Sequence, residues 1–438
     1  MQTSRNSKNL LDLLYEGGDS AGPRIYSYDS ITISLYRSLP SFEQSIIIKL
    51  LSAPTLALQS YIAKTDEAKE LTKIAEDTLI KKFGVVEKFT TNINAPLQYR
   101  LSKDFARSLK RFLTSGMQVI FQVNTSTMEK CITHAEKFEA KLSQHSYQGW
   151  SNLYRTMLEG YLSPTSYHER INLTENIKST LENANLNLRR AKSHTTGFDF
   201  LLDSIRNQVS LLLYAYCRYL FKVKYKYLKS SLNDKEAVSE GSILNLLLNL
   251  TLLVPALSFS IKKSLANFEK FNLPEALIQD VLKDLHCIGL LRVKVNDGGY
   301  VTTLASTPLI HNVLTGSTAL HKEFKNHIIV ETDFKCYAYT HNNDFLEALL
   351  RLFTVVKTKF PGLLVCSIQE DKIVEAFQSG ITPNQILRYL NSNAHETVVE
   401  KKLKQMTDEE IENIELSYAF IPENVVQQIF IWYKQMEE

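Results

Sequence analysis

Ten histidines and five cysteines are the residues in this 438-residue chain best suited to metal or nucleophile chemistry. Only His134, His145 and the His286-Cys287 pair have any local context for it. The cysteines (Cys131, Cys217, Cys287, Cys336, Cys366) are far apart and form no C-x-x-C. That spacing supplies neither a zinc site nor a disulfide framework, and it fits a reducing compartment. His286-Cys287 reads as a pair of ordinary helix residues, because no further Cys, His or carboxylate stands at ligand spacing. The acidic run Asp408, Glu409, Glu410, Glu412, Glu415 reads as a solvated helix face, since paired catalytic carboxylates need a cleft. There is no phosphate loop, no G-x-G-x-x-G, no G-x-S-x-G and no H-E-x-x-H. The expectation is no catalytic residue, no metal and no cofactor.

One stretch could bind nucleic acid. Y-A-Y-C-R-Y-L-F-K-V-K-Y-K-Y-L-K at 214–229 interleaves Arg218, Lys222, Lys224, Lys226 and Lys229 with aromatic rings. Cations neutralise phosphate and rings stack on bases. The competing reading is a long helix whose lysine stems lie over a core. The charge balance of 50 basic against 47 acidic residues argues against a dedicated nucleic-acid or membrane-surface protein.

The elements that must position such residues are mostly helical. Glycine (15) and proline (11) are scarce, which favours long helices over turn-rich sheets. Residues 1–25 are polar and contain G-G-D-S-A-G-P, so they read as a loose tail. The apolar run 243–261 has the length of a membrane span. Asn245, Asn249 and Pro255 inside it point instead to a buried helix, with no membrane association.

A helix, strand, turn, strand pattern recurs three times. The clearest copy starts at Leu273, with Leu277, Ile278, Val281, Leu282, Leu285 and Ile288 at helical spacing. Pro274 suits the first turn and Gly289 the residue after the last. L-L-R-V-K-V, N-D-G-G and Y-V-T-T then make a hairpin. A second copy starts at Leu71, with its return strand at 97–101. A third, from Ile171, leads to T-T-G-F-D-F-L-L at 195–202. These read as winged-helix-like units. The helix from Leu273 carries Glu275, Asp280 and Asp284, which would repel phosphate, so the units read as protein-docking blocks.

A different module starts near 321. H-I-I-V-E-T-D-F-K-C-Y-A-Y-T at 327–340 holds two β-prone runs. A helix is expected from Asp344 with Phe345, Leu349, Leu352, Phe353 and Val356 on one face, stopped by F-P-G at 360–362. L-L-V-C-S-I at 363–368 reads as a strand covered on both faces. In I-T-P-N-Q-I, Thr382 can cap a helix, Gln385 completes a capping box and Ile381 with Ile386 forms a hydrophobic staple. Thr382→Ala should cost about 1 kcal/mol. Ile429, Trp432, Tyr433 and Met436 make a late stripe with no following partner.

V-E-T-D-F-K-C-Y-A-Y-T at 330–340, F-P-G-L-L-V at 360–365, S-G-I-T-P-N-Q-I-L-R-Y-L at 379–390 and A-H at 394–395 occur together. Together they resemble the helicase-anchoring subunit of the transcription and repair factor TFIIH, the p fifty-two / Tfb-two family. L-Y-R-S-L-P at 35–40, T-T-G-F-D-F-L-L, L-S-F-S and C-I-G-L-L fall in the expected order. The resemblance implies a nuclear, non-enzymatic scaffold for transcription initiation and nucleotide excision repair. It implies that winged-helix-like blocks meet other TFIIH core subunits, and that the late α/β unit docks an XPB-type translocase and supports its ATPase. DNA is then met only through the complex. The smallest TFIIH subunit is a partner only if a C-terminal module exists beyond W-Y-K-Q-M-E-E. The alternative is a direct nucleic-acid-binding winged-helix protein using 214–229.

The expected fold is mainly α with small β wings: tandem winged-helix-like domains, then a small α/β domain. The expected divisions are a tail at 1–25 and winged units at 26–135, 136–235 (with a long helix) and 236–320. A docking domain at 321–400 and a helical linker at 401–438 follow. Val330, Glu331, Thr332, Phe334, Tyr337, Ala338, Tyr339 and Thr340 form the expected docking set. Phe360, Pro361, Gly380, Ile381, Thr382, Gln385 and Ile386 are its structural support. Tyr337 and Tyr339 share a strand face, with Phe334 opposite.

Overall fold

A computed structural model describes residues 23–52, 66–89, 98–115, 122–123, 135–158, 173–186, 195–224, 239–253, 257–261, 271, 273–315, 327–339, 344–406 and 418–438. The expected tail at 1–22 lies outside these. The last residues of the expected 1–25 tail are ordered: Pro23–Ser27 is a short 3-10 turn with Ile25 and Tyr26 buried.

Helices dominate, as expected. α1 (Asp29–Ser38) and α2 (Ser41–Ser52) are followed by α3 (Asp66–Glu76), which widens into a π turn over Asp77–Lys82. β1 (Val86–Phe89) pairs antiparallel with β2 (Gln98–Leu101), and α4 (Lys103–Ser115) follows. β3 is Gln122–Val123; α5 (Ala135–Met157), α6 (Glu175–Asn183), α7 (Thr195–Leu202) and α8 (Ile205–Tyr219) come next. The stretch 195–202 is therefore a helix, with no hairpin before it among the described residues. Phe198, Leu201 and Leu202 stand three and four apart and are buried, so tertiary packing decides the state of this short apolar run.

α9 (Glu240–Thr251) is buried on nearly every residue, Asn245 and Asn249 included. The two amides bond along the helix, Asn249 Nδ2 donating to Asn245 Oδ1 at 2.9 Å, and Ser30 of α1 donates to Asn245. The apolar run thus becomes an internal helix with its polar groups satisfied. No helix among the described residues is long and apolar enough to cross a membrane.

β4 (Phe259–Ser260), α10 (Glu275–Cys287), β5 (Leu291–Val295), β6 (Val301–Ser306) and α11 (Pro308–Thr315) complete the central part. Pro274 caps α10 rather than entering it, while Gly289 (φ +78°) ends it as expected. The antiparallel sheet runs β3-β4-β6-β5. It ties 122–123, expected in the first unit, to the hairpin of the third.

The late part is a four-stranded antiparallel sheet, order β7-β8-β10-β9, backed by helices. β7 is His327–Val330, β8 Lys335–Tyr339, α12 Asp344–Leu350, β9 Val355–Phe360 and β10 Leu363–Ser367. α13 (Glu370–Gln378), α14 (Pro383–Ser392), α15 (Glu396–Leu403) and α16 (Glu423–Glu437) follow. The helix expected up to 360 stops at Leu350. Val355, Val356 and Thr358 favour extended backbone, and Pro361-Gly362 closes a β9–β10 hairpin with Gly362 at φ +78°.

Candidate docking surface

The hairpin 327–339 settles which groups of the expected docking set are free. Ile328, Cys336, Ala338, Leu364 and Cys366 fall on one face by strand alternation, and all are buried. β10 is therefore fully covered on one face only. On its other face Leu363 and Val365 are half-buried, a correction to the two-sided reading. Val330 pairs with Cys336 and faces the covered side.

The opposite face forms a regular grid. One row reads His327, Tyr339, Leu363, Phe360; the next reads Ile329, Tyr337, Val365, Thr358. Tyr339 is 44% exposed and Phe360 52% exposed, so the grid's top row opens to solvent. The His395 ring lies 5.3 Å from that of Tyr339 and flanks the row. The sequence reading placed Tyr337 and Tyr339 together correctly. It missed Ile329, Leu363 and Val365, although V-V-K-T-K-F, Pro-Gly and L-L-V-C-S together spell a two-residue hairpin.

Phe334 belongs to neither face. It occupies the turn at φ +65°, the left-handed region that a hairpin loop of this length usually gives to glycine. The loop closes by Glu331 N–H donating to Lys335 O at 2.9 Å and Phe334 N–H donating to Glu331 O at 3.1 Å. The Phe334 ring meets Trp432 of α16 at 5.9 Å, and Asn424 Nδ2 donates to Thr332 O at 2.8 Å. Phe377 of α13 meets Tyr433 edge-on at 5.1 Å. The late stripe expected to lack a partner thus has one inside the chain: Val425, Ile429 and Trp432 are buried. Thr332 and Phe334 hold α16. Glu331 stays exposed, and Thr340 lies outside the described residues.

Of the expected support residues, Phe360 stands instead on the open row and Pro361 in the β9–β10 turn, while Gly380, Ile381, Thr382, Gln385 and Ile386 form the frame. Gln385 N–H donates to Thr382 Oγ1 at 3.3 Å and Thr382 N–H to Gln385 Oε1 at 2.7 Å, a complete capping box. Gln385 also donates to Asp199 of α7, fixing α14 to the preceding helices. Ile381 and Ile386 are buried, and Gly380 ends α13 at φ +92°. The A-H pair seals the β7 edge. Ile328 N–H donates to Asn393 O at 2.7 Å and His395 N–H donates to Ile328 O at 2.9 Å. The β9 edge carries exposed Lys357 and Lys359, a common guard against strand addition.

The basic stretch resolves differently. Residues 214–219 end α8, with Tyr216 and Cys217 buried, and a π turn carries Leu220–Lys224. Lys224 Nζ donates to Asp280 at 2.7 Å and to Asn176 Oδ1 at 3.1 Å. Arg218 donates to the Tyr214 hydroxyl. Lys226 lies outside the described residues. Of the acidic groups of α10 expected to repel phosphate, Glu275 is exposed, while Asp280 and Asp284 are engaged within the chain. Asp284 is buried and accepts from Tyr216 OH at 2.5 Å and Asn176 Nδ2 at 2.7 Å. Burial first, then that carboxylate, pushes the Tyr216 hydroxyl well above the ordinary tyrosine value. Arg218 and Lys224 are thus engaged within the chain, while Lys222 is exposed.

No group of three or more His, Cys, Asp or Glu that could hold a metal ion occurs among the described residues. His286 stacks on His145, ring centroids 4.5 Å apart. His145 Nε2 donates to Leu291 O at 2.9 Å, and Val293 N–H donates to His286 Nδ1 at 3.4 Å. The pair therefore satisfies backbone groups along β5, an edge strand. Burial, then His286, holds His145 down to about 4; burial also lowers His286.

Residues 17–396 match the family described as transcription factor Tfb2. The chain is 23% identical over 449 residues to the general transcription and DNA repair factor IIH subunit TFB2 of Arabidopsis thaliana, covering 97% of this chain and 84% of the relative. It is 25% identical to general transcription factor IIH subunit 4 of Dictyostelium discoideum, covering 91% and 80%. Against the Saccharomyces cerevisiae TFB2 subunit the identity is 23%, covering 94% and 83%.

Proposed function

Because this chain belongs to the Tfb2 transcription-factor family, we propose that it is a nuclear, non-catalytic subunit of the general transcription and repair factor IIH. In this role it anchors an XPB-type DNA translocase and supports its ATPase during transcription initiation and nucleotide excision repair. The observation that carries this reading is the open face of the late sheet. Tyr339 and Phe360 stand exposed beside half-buried Tyr337, Leu363 and Val365, on strands held rigid by the capped helix α14. Apolar groups aligned on a rigid sheet lose little entropy on docking, and aromatic anchors carry much of the energy of such contacts. Glu331, at the rim, would steer the encounter more than strengthen it. The helix–hairpin elements, read as winged-helix-like blocks, would meet other core subunits, and DNA would be reached through the complex. Pairing with the smallest subunit belongs to this proposal only for a protein carrying a further module.

The test is association of the full chain with the N-terminal region of an XPB-type translocase. Tyr339→Asp together with Phe360→Asp should weaken it at least about tenfold with unchanged unfolding temperature, since two desolvated anchors are lost. Thr382→Ala should alter stability and leave affinity alone. Full binding by the double aspartate variant would move the contact off this face.

A further inference from the structure

A second surface, independent of the late sheet, has a charge pattern of its own. The first turns of α5 cross the outer face of the β4-β6-β5 sheet and leave a cleft of about 230 Å³. Its floor is apolar, formed by Ala305 and the ring of Phe138. Lys141 of α5 and Arg292 and Lys294 of β5 also line it. Arg292 and Lys294 are two apart on one strand and point the same way. Lys141 lies one turn along α5 from Phe138.

Elsewhere the basic groups of this protein are commonly paired: Lys88 with Glu76, Arg111 with Asp29, Lys224 with Asp280, Lys359 with Glu347. Among the described residues the three around the cleft pair with no carboxylate, and no acidic residue lines it. Behind Arg292 stand His145 and His286, whose neutral rings offer it no counter-charge. Three like charges held around an apolar floor repel one another, and a bound anion relieves that repulsion.

We propose that this cleft is a docking site for an acidic, amphipathic peptide segment of a partner protein. One apolar side chain would enter against Phe138 and Ala305, while flanking carboxylates meet Lys141, Arg292 and Lys294. A peptide fits better than a nucleic-acid strand for two reasons. Apart from the three cations, the side-chain donors that line the cleft among the described residues are the hydroxyls of Ser258 and Thr303, too few to hold base edges. The cationic line is also short: beyond Lys294 the hairpin turns at Asn296-Asp297, where the Asp297 carboxylate would repel a continuing phosphate backbone.

Fluorescence anisotropy on the full chain tests this with three labelled probes. The first is a short peptide alternating Asp with Leu and Phe. The second is its Asn counterpart. The third is a single-stranded oligodeoxynucleotide of equal charge. The acidic peptide should bind, weaken as salt rises and lose about tenfold or more in affinity with Lys141→Glu plus Lys294→Glu. Both lysines are exposed, so the variant should keep the parent unfolding temperature. The Asn peptide should bind at least about tenfold more weakly, because the charge contacts are gone. Tighter binding of the oligonucleotide would reassign the cleft to nucleic acid. No binding of the acidic peptide, or binding indifferent to the double reversal, would overturn the proposal.

Discussion

Phe334 is the residue where local backbone preference and packing are most directly opposed. A phenylalanine at φ +65° costs roughly 1–2 kcal/mol relative to glycine, because its Cβ crowds the following carbonyl. The contact with Trp432 offsets that cost, and Ile368 N–H donating to Phe334 O at 2.8 Å holds the turn in register. The two effects separate in a pair of variants. Phe334→Ala loses the ring and keeps the strain; Phe334→Gly loses the ring and relieves it. Urea unfolding of the full chain should find the glycine variant about 1 kcal/mol more stable than the alanine variant. The reverse order would mean that the turn is unstrained. The V-E-T-D-F motif is thus only partly about a surface: Val330 faces the covered side, Thr332 and Phe334 brace α16, and Glu331 is exposed.

Among elements, the crossing of α5 over the end of α10 is a close backbone junction. A Cβ built on Gly149 would stand 2.3 Å from the Gly289 nitrogen, so Gly149→Ala cannot be accommodated without separating two backbones. It should destabilise the protein by about 2–3 kcal/mol or more, whereas Gly298→Ala, whose nearest neighbour would be 3.5 Å away, should change little. The His145–His286 stack beside this junction gives the protein an acid-sensitive seam. The folded pKa of His145, about 4, lies below the unfolded value near 6.5. Its contribution is therefore complete above pH 6.5 and is lost as pH falls from there towards 4. The bound is about 3 kcal/mol for His145, lessened because the ring is only half-buried. His311, lowered to about 4 by burial, adds to the same limb. Chemical unfolding at pH 7 and pH 5 should show the fall, and His145→Gln should flatten it; a pH-independent midpoint would contradict the assignment. Much at this scale was legible in advance. The capping box at Thr382, the apolar stripe of α10 and the hairpins at 86–101 and 291–306 follow from local chemistry. The helix at 195–202 and the strand at 355–360 do not, because each is a short apolar run whose state depends on the surface it meets. The stacked histidines and the Gly149–Gly289 approach join residues 140 or more apart in sequence, so no spacing rule could reveal them.

For the whole molecule, the divisions read along the chain are crossed by its packing. Ser30 of α1 bonds Asn245 of α9, β3 pairs with β4, and Gln385 of α14 reaches Asp199 of α7. One apolar core runs from Ile25 to Trp432. The late unit in particular does not end at 400, the boundary read from the sequence. α16 lies against α13 and α14, and its Val425, Ile429 and Trp432 are buried. A chain ended after residue 406 would therefore expose Phe334 and Phe377 and lose three large buried side chains. At roughly 1.5–3 kcal/mol for each side chain, several kcal/mol would go, enough to unfold a unit of ordinary stability. The truncated chain should bind a hydrophobic dye that the full chain does not, and its late unit should lose amide-exchange protection over 327–339. Trp432→Ala alone should shift the same amides partway. If the truncated chain kept full protection there, α16 would be dispensable, and the late sheet could be carried on the segment 321–400 alone. That result would also release Phe334 from its bracing role and return it to the candidate contact surface.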